Sequence, residues 1–420
     1  MKSSYRLYSV LTLVVSTLCL GLGVIIGYFL QITTDPLLLA KDQHACDVGY
    51  GSYLPEVQSF LEKNIIEACA AETCDVPLPH TYVVQHLNEE TIEIDGLIDE
   101  FAWNQVPWSE KFVDLQGRRG HDPVLTTRFK IRWDDNNLYI AALLEDPHVW
   151  ANRTEHDSDV FNDNAFEIFL DTAGSFHKYK EIGVNAFSTV WDALLTKAYI
   201  DGGEALQNWD SRVNVAVNVD GEVNNPNSQG DFWSVEMSLP FSQLLVGSVK
   251  TDTKPHNLEI WYANFARSHI QASAHGDHYH PIPNIRPKWW SWNPTGAYSL
   301  HLPNRWGLIQ FKASSNGSSS FNHDQFIPDD YRTAYHTLGI IFESLHKYKA
   351  LFGSYVSDIT QLDLPPYINN KMCTPAPQIT LDWRGFVVSL TPDKGQLQPI
   401  HIRADRFVWF GHIDKLGKNY

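Results

Sequence analysis

The stretch Asn164-Ala-Phe-Glu-Ile-Phe-Leu-Asp171 decides the fold. Within it, apolar residues alternate with a second set that includes two carboxylates: Phe166, Ile168 and Leu170 against Glu167, Phe169 and Asp171. An alternation with period two in a β-branched and aromatic run predicts a half-buried β-strand. Turn residues follow at 172–175 and a second strand at 179–185, so we expect an antiparallel hairpin centred near Gly174.

The predicted hairpin brings polar side chains together. With its centre at Gly174, Glu167 faces Glu181 and Asp163 faces Asn185. Directly opposed residues lie roughly 5 Å apart. Like charges at that distance are unfavourable unless a cation, a proton or the hydroxyl groups of a ligand lie between them. The hairpin therefore predicts a ligand site, with a structural calcium site or an ordinary solvated sheet face as the alternatives.

The composition limits the class of protein. The chain has 420 residues, of which 43% are apolar and 13% aromatic, so it can bury a sizeable core. Its formal charge of -17 argues against nucleic-acid partners, because phosphate binding needs clustered lysine and arginine. The 14 tryptophans suit stacking on sugar rings as well as core packing.

The N-terminal region resembles a membrane anchor. Residues 8–32 carry no charge and are long enough to cross a bilayer as a helix. Lys2 and Arg6 precede this segment, so the positive-inside rule predicts a single-pass type II membrane protein with its bulk extracellular or luminal. Secretion after signal-peptide cleavage is the alternative. Glycosylation sequons begin at Asn152 and Asn316.

The pattern divides the chain into five segments. They are a cytoplasmic tail (1–7), a transmembrane signal anchor (8–32), a cysteine-containing stalk (33–81), a β-sandwich (82–312), and a linker with a small C-terminal α+β extension (313–420). Four cysteines lie beyond the anchor: Cys46, Cys69, Cys74 and Cys373. Outside the cytoplasm an even number permits disulfides, and three pairings are open.

Between residues 82 and 312 many short alternating runs are separated by turn residues. In one of them Val213, Val215, Val217 and Val219 alternate with polar residues. Many short strands with turns between them predict an all-β fold, an antiparallel sandwich or barrel.

Eight fragments in this region together resemble the carbohydrate-binding module family 9-like domain. They are Ile94-Asp-Gly-Leu-Ile-Asp-Glu-Phe-Ala-Trp103, Trp133-Asp-Asp-Asn-Asn-Leu-Tyr139, Glu145-Asp-Pro147, Asp163-Asn-Ala-Phe-Glu-Ile-Phe-Leu-Asp171, Val190-Trp-Asp192, Trp233-Ser-Val-Glu236, Asn264-Phe-Ala-Arg267 and Arg305-Trp-Gly307. The resemblance implies a jelly-roll sandwich, often with structural calcium, that binds poly- or oligosaccharides without catalysis and is linked to carbohydrate catabolism.

The resemblance also implies a site. The family's acidic ligand contact falls at Glu167, its two aromatic clamp positions at Phe161 and near Leu300, and its cationic contact near Gly183. We therefore expect the ligand-binding residues to be Glu167, Glu181 and Asn185 for hydroxyl groups, with Trp150, Phe161 and Trp191 for stacking. Candidate calcium ligands are Asp157, Asp159 and Asp163.

Other interpretations stay open at this stage. The same face can serve a cell-surface protein-interaction module, or Glu167 and Glu181 can act as the carboxylate pair of a glycoside hydrolase. Further alternatives rest on other residues: a metal site at His275, Asp277, His278 and His280, a stacking platform at Trp289, Trp290 and Trp292, and a haem ligand at Met237.

Overall fold

The computed structural model describes residues 76–228, 230–248, 252–313, 325–365, 368, 375–392 and 397–411. The chain forms two compact units, and the larger one comprises residues 78–362 with 376–420. The predicted anchor, residues 33–75 of the predicted stalk, all five cysteines, Asn316 and most of the predicted linker lie outside the described residues, whereas the stalk's last residue, Thr81, begins the first strand. Among the described residues, no helix is both long and apolar enough to cross a membrane.

The described part of the larger unit consists mainly of strands. They are β1 (Thr81–His86), β2 (Val113–Asp114), β3 (Thr127–Trp133), β4 (Asn137–Glu145), β5 (Ala165–Asp171), β6 (Tyr179–Asn185), β7 (Val190–Leu195), β8 (Ala205–Leu206), β9 (Asn214–Val219), β10 (Phe232–Pro240), β11 (Ile260–His269), β12 (Ala272–His275), β13 (His278–Pro281), β14 (Lys288–Ser291), β15 (Gly307–Lys312), β16 (Gln378–Asp382), β17 (Gly385–Leu390), β18 (Ile400–Arg403) and β19 (Val408–Phe410). The α-helices are α1 (Phe101–Asn104), α2 (Phe241–Leu244) and α3 (Arg332–Phe352).

Thirteen strands form one curled, sandwich-like sheet in the order β8-β7-β6-β5-β11-β15-β1-β3-β4-β10-β9, with β14 on β11 and β2 on β14. The expected all-β class is confirmed, but the sheet is not wholly antiparallel. Strand β1 runs parallel to both of its neighbours, β15 and β3. No tight turn connects β1 to either neighbour, so nothing in the connectivity forces antiparallel pairing.

The two halves of the sheet pack face to face through one apolar core. The ring centroids of Phe129 on β3 and Phe265 on β11 lie 3.9 Å apart, and Trp133 and Phe311 meet edge to face at 5.5 Å. Met237, the candidate haem ligand, lies in this core, as do Trp290 and Trp292 of the candidate stacking platform. These three side chains therefore pack the interior.

The expectation that β5 is half-buried is wrong, because all seven of its residues are buried. Its inner face lies in the core. Its outer face is covered as well: Phe169 contacts the rings of His301 and Trp306, with centroids 5.6 and 5.7 Å apart. The covering residues come from a segment more than a hundred positions away in the sequence.

Buried polar contacts join several of the sequence fragments noted above. Arg267 and Asp146 form an ion pair with 2.7 Å between Nη2 and Oδ2, and the side chains are 0% and 1% exposed. The Nδ2 of Asn164 donates to the same Asp146 oxygen. On the other half of the sheet, the Trp103 indole donates to Glu236 at 2.6 Å. The charged residues of these fragments therefore hold the fold.

The C-terminal region carries α3 and a four-stranded antiparallel sheet, β16-β17-β18-β19. Helix α3 lies within the predicted α+β extension, residues 313–420, and buries one face, which includes Leu338, Ile341 and Leu345. The Tyr335 hydroxyl donates to the Gly174 carbonyl at 2.9 Å. The guanidinium of Arg406 donates to Asp201 at 2.8 Å and also to Asn304. This extension is therefore packed against the sandwich.

Candidate functional site

The candidate site lies on the outer face of β5, β6 and β7. The predicted register is wrong by two residues: Glu167 pairs with Gly183, and Glu181 pairs with Phe169. The β5–β6 loop is wider than a tight turn, because the Asp171 carboxylate accepts the backbone N–H groups of residues 173, 174 and 176. A shift of two residues keeps every side chain on its predicted face, so Glu167 and Glu181 still share the outer face.

The two carboxylates are almost fully buried. Glu167 is 3% exposed and Glu181 5%. Glu167 Oε1, Glu181 Oε2 and the indole Nε1 of Trp191 are each buried without a hydrogen-bond partner. Since Gly183 pairs with both Glu167 and Trp191, these atoms belong to three neighbouring strands of one sheet face. Buried polar groups are usually hydrogen-bonded, so this cluster of unsatisfied atoms is unusual.

Burial controls the charge of the pair. It raises the pKa of Glu167 to about 8. The pKa of Glu181 lies well above its ordinary value, first because of burial and second because of the nearby Glu167 charge. His301 Nε2 lies 4.0 Å from Glu181 Oε2, but burial lowers the pKa of His301 to about 4, so the imidazole is neutral at pH 7. The Nδ1 atom of His301 lies 2.9 Å from the Tyr179 hydroxyl, which fixes the ring.

The surroundings of the carboxylates are aromatic and apolar. Phe161, on the short 3-10 helix Val160–Asn162, meets Trp191 edge to face with centroids 6.1 Å apart. Tyr199 packs against His301 at 4.5 Å. Leu300, near the second predicted clamp position, is 7% exposed, and its carbonyl accepts the Trp306 indole N–H. The short helix precedes strands β5, β6 and β7 in the sequence, and the segment around residue 300 follows them.

Two of the predicted stacking residues are brought together and one is not. Phe161 is partly exposed and contacts Trp191, which is 5% exposed. Trp150 is also buried, at 8%, and in the described region the ring contacts of Phe161 include Trp191 but not Trp150. No side chain in this group forms a flat exposed platform. Sequence reasoning did not identify His301, Tyr179 and Tyr199, although His301 directly follows the predicted clamp position at Leu300.

Asn185 has a structural role rather than the predicted ligand contact. Its Nδ2 donates to Asp163 Oδ2 and to the Arg153 carbonyl, both at 2.8 Å. Its Oδ1 accepts the backbone N–H groups of Phe187 and Thr189. The side chain closes the β6–β7 turn, so no hydrogen-bonding group remains for a sugar hydroxyl.

The predicted metal ligands do not converge. Asp163 is fully buried and its Oδ2 accepts three N–H groups, whereas Asp157 and Asp159 are exposed. Strands β12 and β13 form a hairpin with His275 opposite His278. Across the described ranges, no group of three histidine, cysteine, aspartate or glutamate side chains is arranged to hold a metal ion.

The buried carboxylates predict a pH dependence of stability. In the unfolded chain both glutamates ionise near pH 4.3, roughly, but the folded chain holds the Glu167 proton up to a pH of about 8. The folded state therefore binds more protons across this range, and stability falls as the pH rises through it. We expect denaturation midpoints measured at pH 5 and pH 8.5 to differ less in a Glu167→Gln/Glu181→Gln variant than in the wild type. Parallel pH profiles would contradict this assignment.

Comparison with known proteins agrees with the resemblance drawn from the fragments. Residues 94–270 match the family model described as "Carbohydrate family 9 binding domain-like". The search of the curated proteins found no match. Two similar solved structures are of a family 9 carbohydrate-binding module from Caldicellulosiruptor kristjanssonii. The complex with cellotriose is 18% identical, with a TM-score of 0.35, and the match covers 58% of this chain and 99% of that one. The complex with glucose is also 18% identical, with a TM-score of 0.36, and covers 57% and 99%.

Proposed function

We propose, from the premise that residues 94–270 form a family 9-like carbohydrate-binding domain, that this chain binds a sugar without catalysis at the outer face of β5, β6 and β7. Glu167 and Glu181 accept hydrogen bonds from sugar hydroxyl groups, and the Trp191 indole donates one. Phe161 covers the apolar face of the sugar ring. The observation that carries the proposal is the cluster of three buried polar atoms without partners.

The chemistry of this cluster suits a sugar. An ionised carboxylate accepts hydrogen bonds and a protonated one can also donate, an indole N–H donates only, and a sugar hydroxyl does both. A buried polar atom without a partner costs about 1–3 kcal/mol. A ligand that satisfies all three atoms at once removes that cost and gains binding energy. Aromatic walls with a few convergent polar groups are typical of small-molecule sites.

Access to the site requires a local rearrangement. The carboxylates lie beneath other side chains, whereas the neighbouring Tyr199 is 46% exposed and Phe161 is partly exposed. We propose that the sugar enters past these two rings and that the short helix Val160–Asn162 shifts as it does so. Loop movements of this kind accompany binding in a substantial minority of complexes.

A glycan array tests the proposal. The full-length chain, held in a detergent without a sugar headgroup, is screened first with calcium and then with EDTA. We expect binding to a defined group of glycans, and loss of that binding in the Glu167→Ala variant. Absence of binding under both conditions would refute the proposed function. A difference between the two conditions would show whether structural calcium contributes.

The two alternative uses of this face are not favoured. The hydrolase interpretation placed Glu167 directly opposite Glu181 at the shorter of the two carboxyl spacings that glycosidases use, and the register places Gly183 there instead. A protein-interaction surface needs exposed contact residues, but Glu167, Glu181 and Trp191 are each 5% exposed or less. A small ligand that enters between side chains fits this burial better than a protein surface does.

We further propose that the domain is displayed outside the cytoplasm by an N-terminal type II anchor. The uncharged apolar run at 8–32 and the preceding Lys2 and Arg6 support this orientation. Asn152, the first residue of a sequon, is exposed, as a glycan acceptor must be. A C-terminal epitope tag on intact cells should be accessible to antibody and to added protease. The arrangement would be overturned if antibody and protease reached the tag only after permeabilisation of the plasma membrane, and if the tag also lay outside the lumen of the secretory compartments.

A further inference from the structure

The carboxylate pair lacks a compensating positive charge. Glu167 and Glu181 share one sheet face, and each has a buried oxygen without a partner. In the part of the chain that the structure describes, the nearest ion-pair candidate to Glu181 is His301, at 4.0 Å. No basic side chain contributes to the pKa of either glutamate. Buried charges in proteins are ordinarily paired or lose their charge.

The neighbouring strand has no basic residue opposite Glu167. Gly183 lies directly opposite Glu167, where a side chain would face the carboxylate. A Cβ atom at Gly183 would lie 3.0 Å from Val160 Cγ2 and 3.4 Å from Glu167 Cγ. A contact of 3.0 Å is tight, so a side chain at this position would require Val160 to shift. Strand β6 therefore supplies no basic side chain opposite Glu167, and a ligand can supply the positive charge instead.

The pair has two needs, hydrogen-bond partners and a compensating positive charge, and a neutral sugar supplies only the first. Hydroxyl groups can form hydrogen bonds with the two glutamates while these stay protonated, but they supply no positive charge that would favour the ionised carboxylates. A protonated primary amine supplies three N–H donors and one positive charge. Hydrogen bonds between charged partners are roughly twice as strong as neutral ones.

We infer that the sugar bound at this site carries a free, protonated amine, so that the ligand class is amino sugars rather than neutral or N-acetylated sugars. This inference rests on the proposed function and names its ligand more closely. The ammonium group lies between Glu167 and Glu181, and the remaining hydroxyl groups reach Trp191.

Binding of an ammonium group changes the number of protons that the two glutamates hold, and this change can be measured. In the free protein at pH 7 burial keeps Glu167 largely protonated, because it raises the pKa of that carboxyl to about 8, and burial also raises the pKa of Glu181 well above its ordinary value. Binding of an ammonium group favours the ionised carboxylates, so protons leave the glutamates for the buffer while the ligand keeps its own. We expect release of about one proton per ligand at pH 7.

Titration calorimetry with the full-length chain tests the inference on three β-1,4-linked disaccharides that differ at carbon 2. Glucosamine dimer carries amines, diacetylchitobiose carries acetamides and cellobiose carries hydroxyls. We expect the glucosamine dimer to bind at least about tenfold more tightly than the other two. Repeating the titration in buffers of different ionisation enthalpy measures the proton release.

The outcomes separate the inference from the proposed function. Equal or tighter binding of cellobiose or diacetylchitobiose overturns the inference and leaves sugar binding intact. Absence of binding by all three, with an empty glycan array, removes both. Ammonium chloride at an equal concentration is the control for a simple cation site. If it gives the same heat and blocks binding of the disaccharide, the inference is also overturned.

A matched variant completes the test. Glu181→Gln keeps the shape of the side chain and removes one charge. We expect it to lose the preference for the glucosamine dimer and the proton release. Its thermal unfolding temperature at pH 8 should be no lower than that of the wild type, because a buried ionisable group that burial disfavours has been removed. A variant that is folded by this criterion but keeps the preference contradicts the role of the pair.

Discussion

The Asp146→Ala variant is expected to lose about 3–5 kcal/mol of unfolding free energy, because a buried ion pair is broken and one charge is left uncompensated. Its partner Arg267 is fully buried, and burial already lowers the pKa of that guanidinium. Asp146 also accepts hydrogen bonds from Asn164 Nδ2 and from the backbone N–H of His148. Removal of this carboxylate therefore leaves several hydrogen-bond donors inside the sheet without an acceptor.

Chemical denaturation of the variant measures this loss. The control is Asp382→Ala, which breaks the Asp382–Arg384 pair, where both side chains are more than a quarter exposed and the closest atoms lie 3.4 Å apart. Surface pairs contribute only about 0–1 kcal/mol, so the control should stay close to the wild type. A double change, Asp146→Leu with Arg267→Met, should recover much of the loss, since neither charge then remains buried. A loss below that of the control would show that the pair is not structural.

The second large effect concerns the ligand. Glu167→Ala is expected to weaken sugar binding by about 10- to 150-fold, or about 1.5–3 kcal/mol, the range for a hydrogen bond to a charged group. Stability at pH 8 should not fall correspondingly, because Glu167 Oε1 has no hydrogen-bond partner in the unliganded protein and burial disfavours the ionised carboxylate. Glu167→Gln separates the loss of charge from the loss of volume.

Dissociation constants for the sugar identified on the array provide the measurement. The control is Asp159→Ala, at the exposed start of the short helix Val160–Asn162, where the aspartate caps the helix without a side-chain hydrogen bond. This control also removes one of the predicted calcium ligands. We expect it to leave affinity unchanged. Equal affinities in wild type and Glu167→Ala would show that the sugar binds elsewhere.

The strands and the shared face of the carboxylates could be predicted from local sequence. Alternation along residues 164–171 predicted β5, and the face on which Glu167 and Glu181 lie was right even though the pairing was not. The pairing depended on how Asp171 organises the backbone of the following loop, which alternation does not encode. A register shift by an even number of residues keeps each side chain on its own face of the sheet. The prediction that Glu167 and Glu181 share a face was therefore right although the predicted register was wrong.

The burial of the outer face could not be predicted in the same way. Phe169 and Glu181 are covered by His301 and its neighbours, which lie more than a hundred residues later in the chain. Nothing in a strand's own pattern tells a solvated face from one covered by a distant segment. The sequence likewise showed that Asn185 is polar and lies near the predicted site. It did not show that closure of the β6–β7 turn would use all of its hydrogen-bonding groups.

The contact made by Arg406 has a consequence for how this protein can be divided. The family match ends at residue 270, yet the closing strand β15 and the extension belong to the same compact unit. Arg406 holds Asp201, next to Tyr199, and Asn304, close to His301, so the last strands brace both sides of the carboxylate pair. The end of the family match and the boundary of the compact unit therefore lie at different places in the chain. A fragment cut at residue 312 would keep the recognisable domain while losing part of the framework that shapes its site.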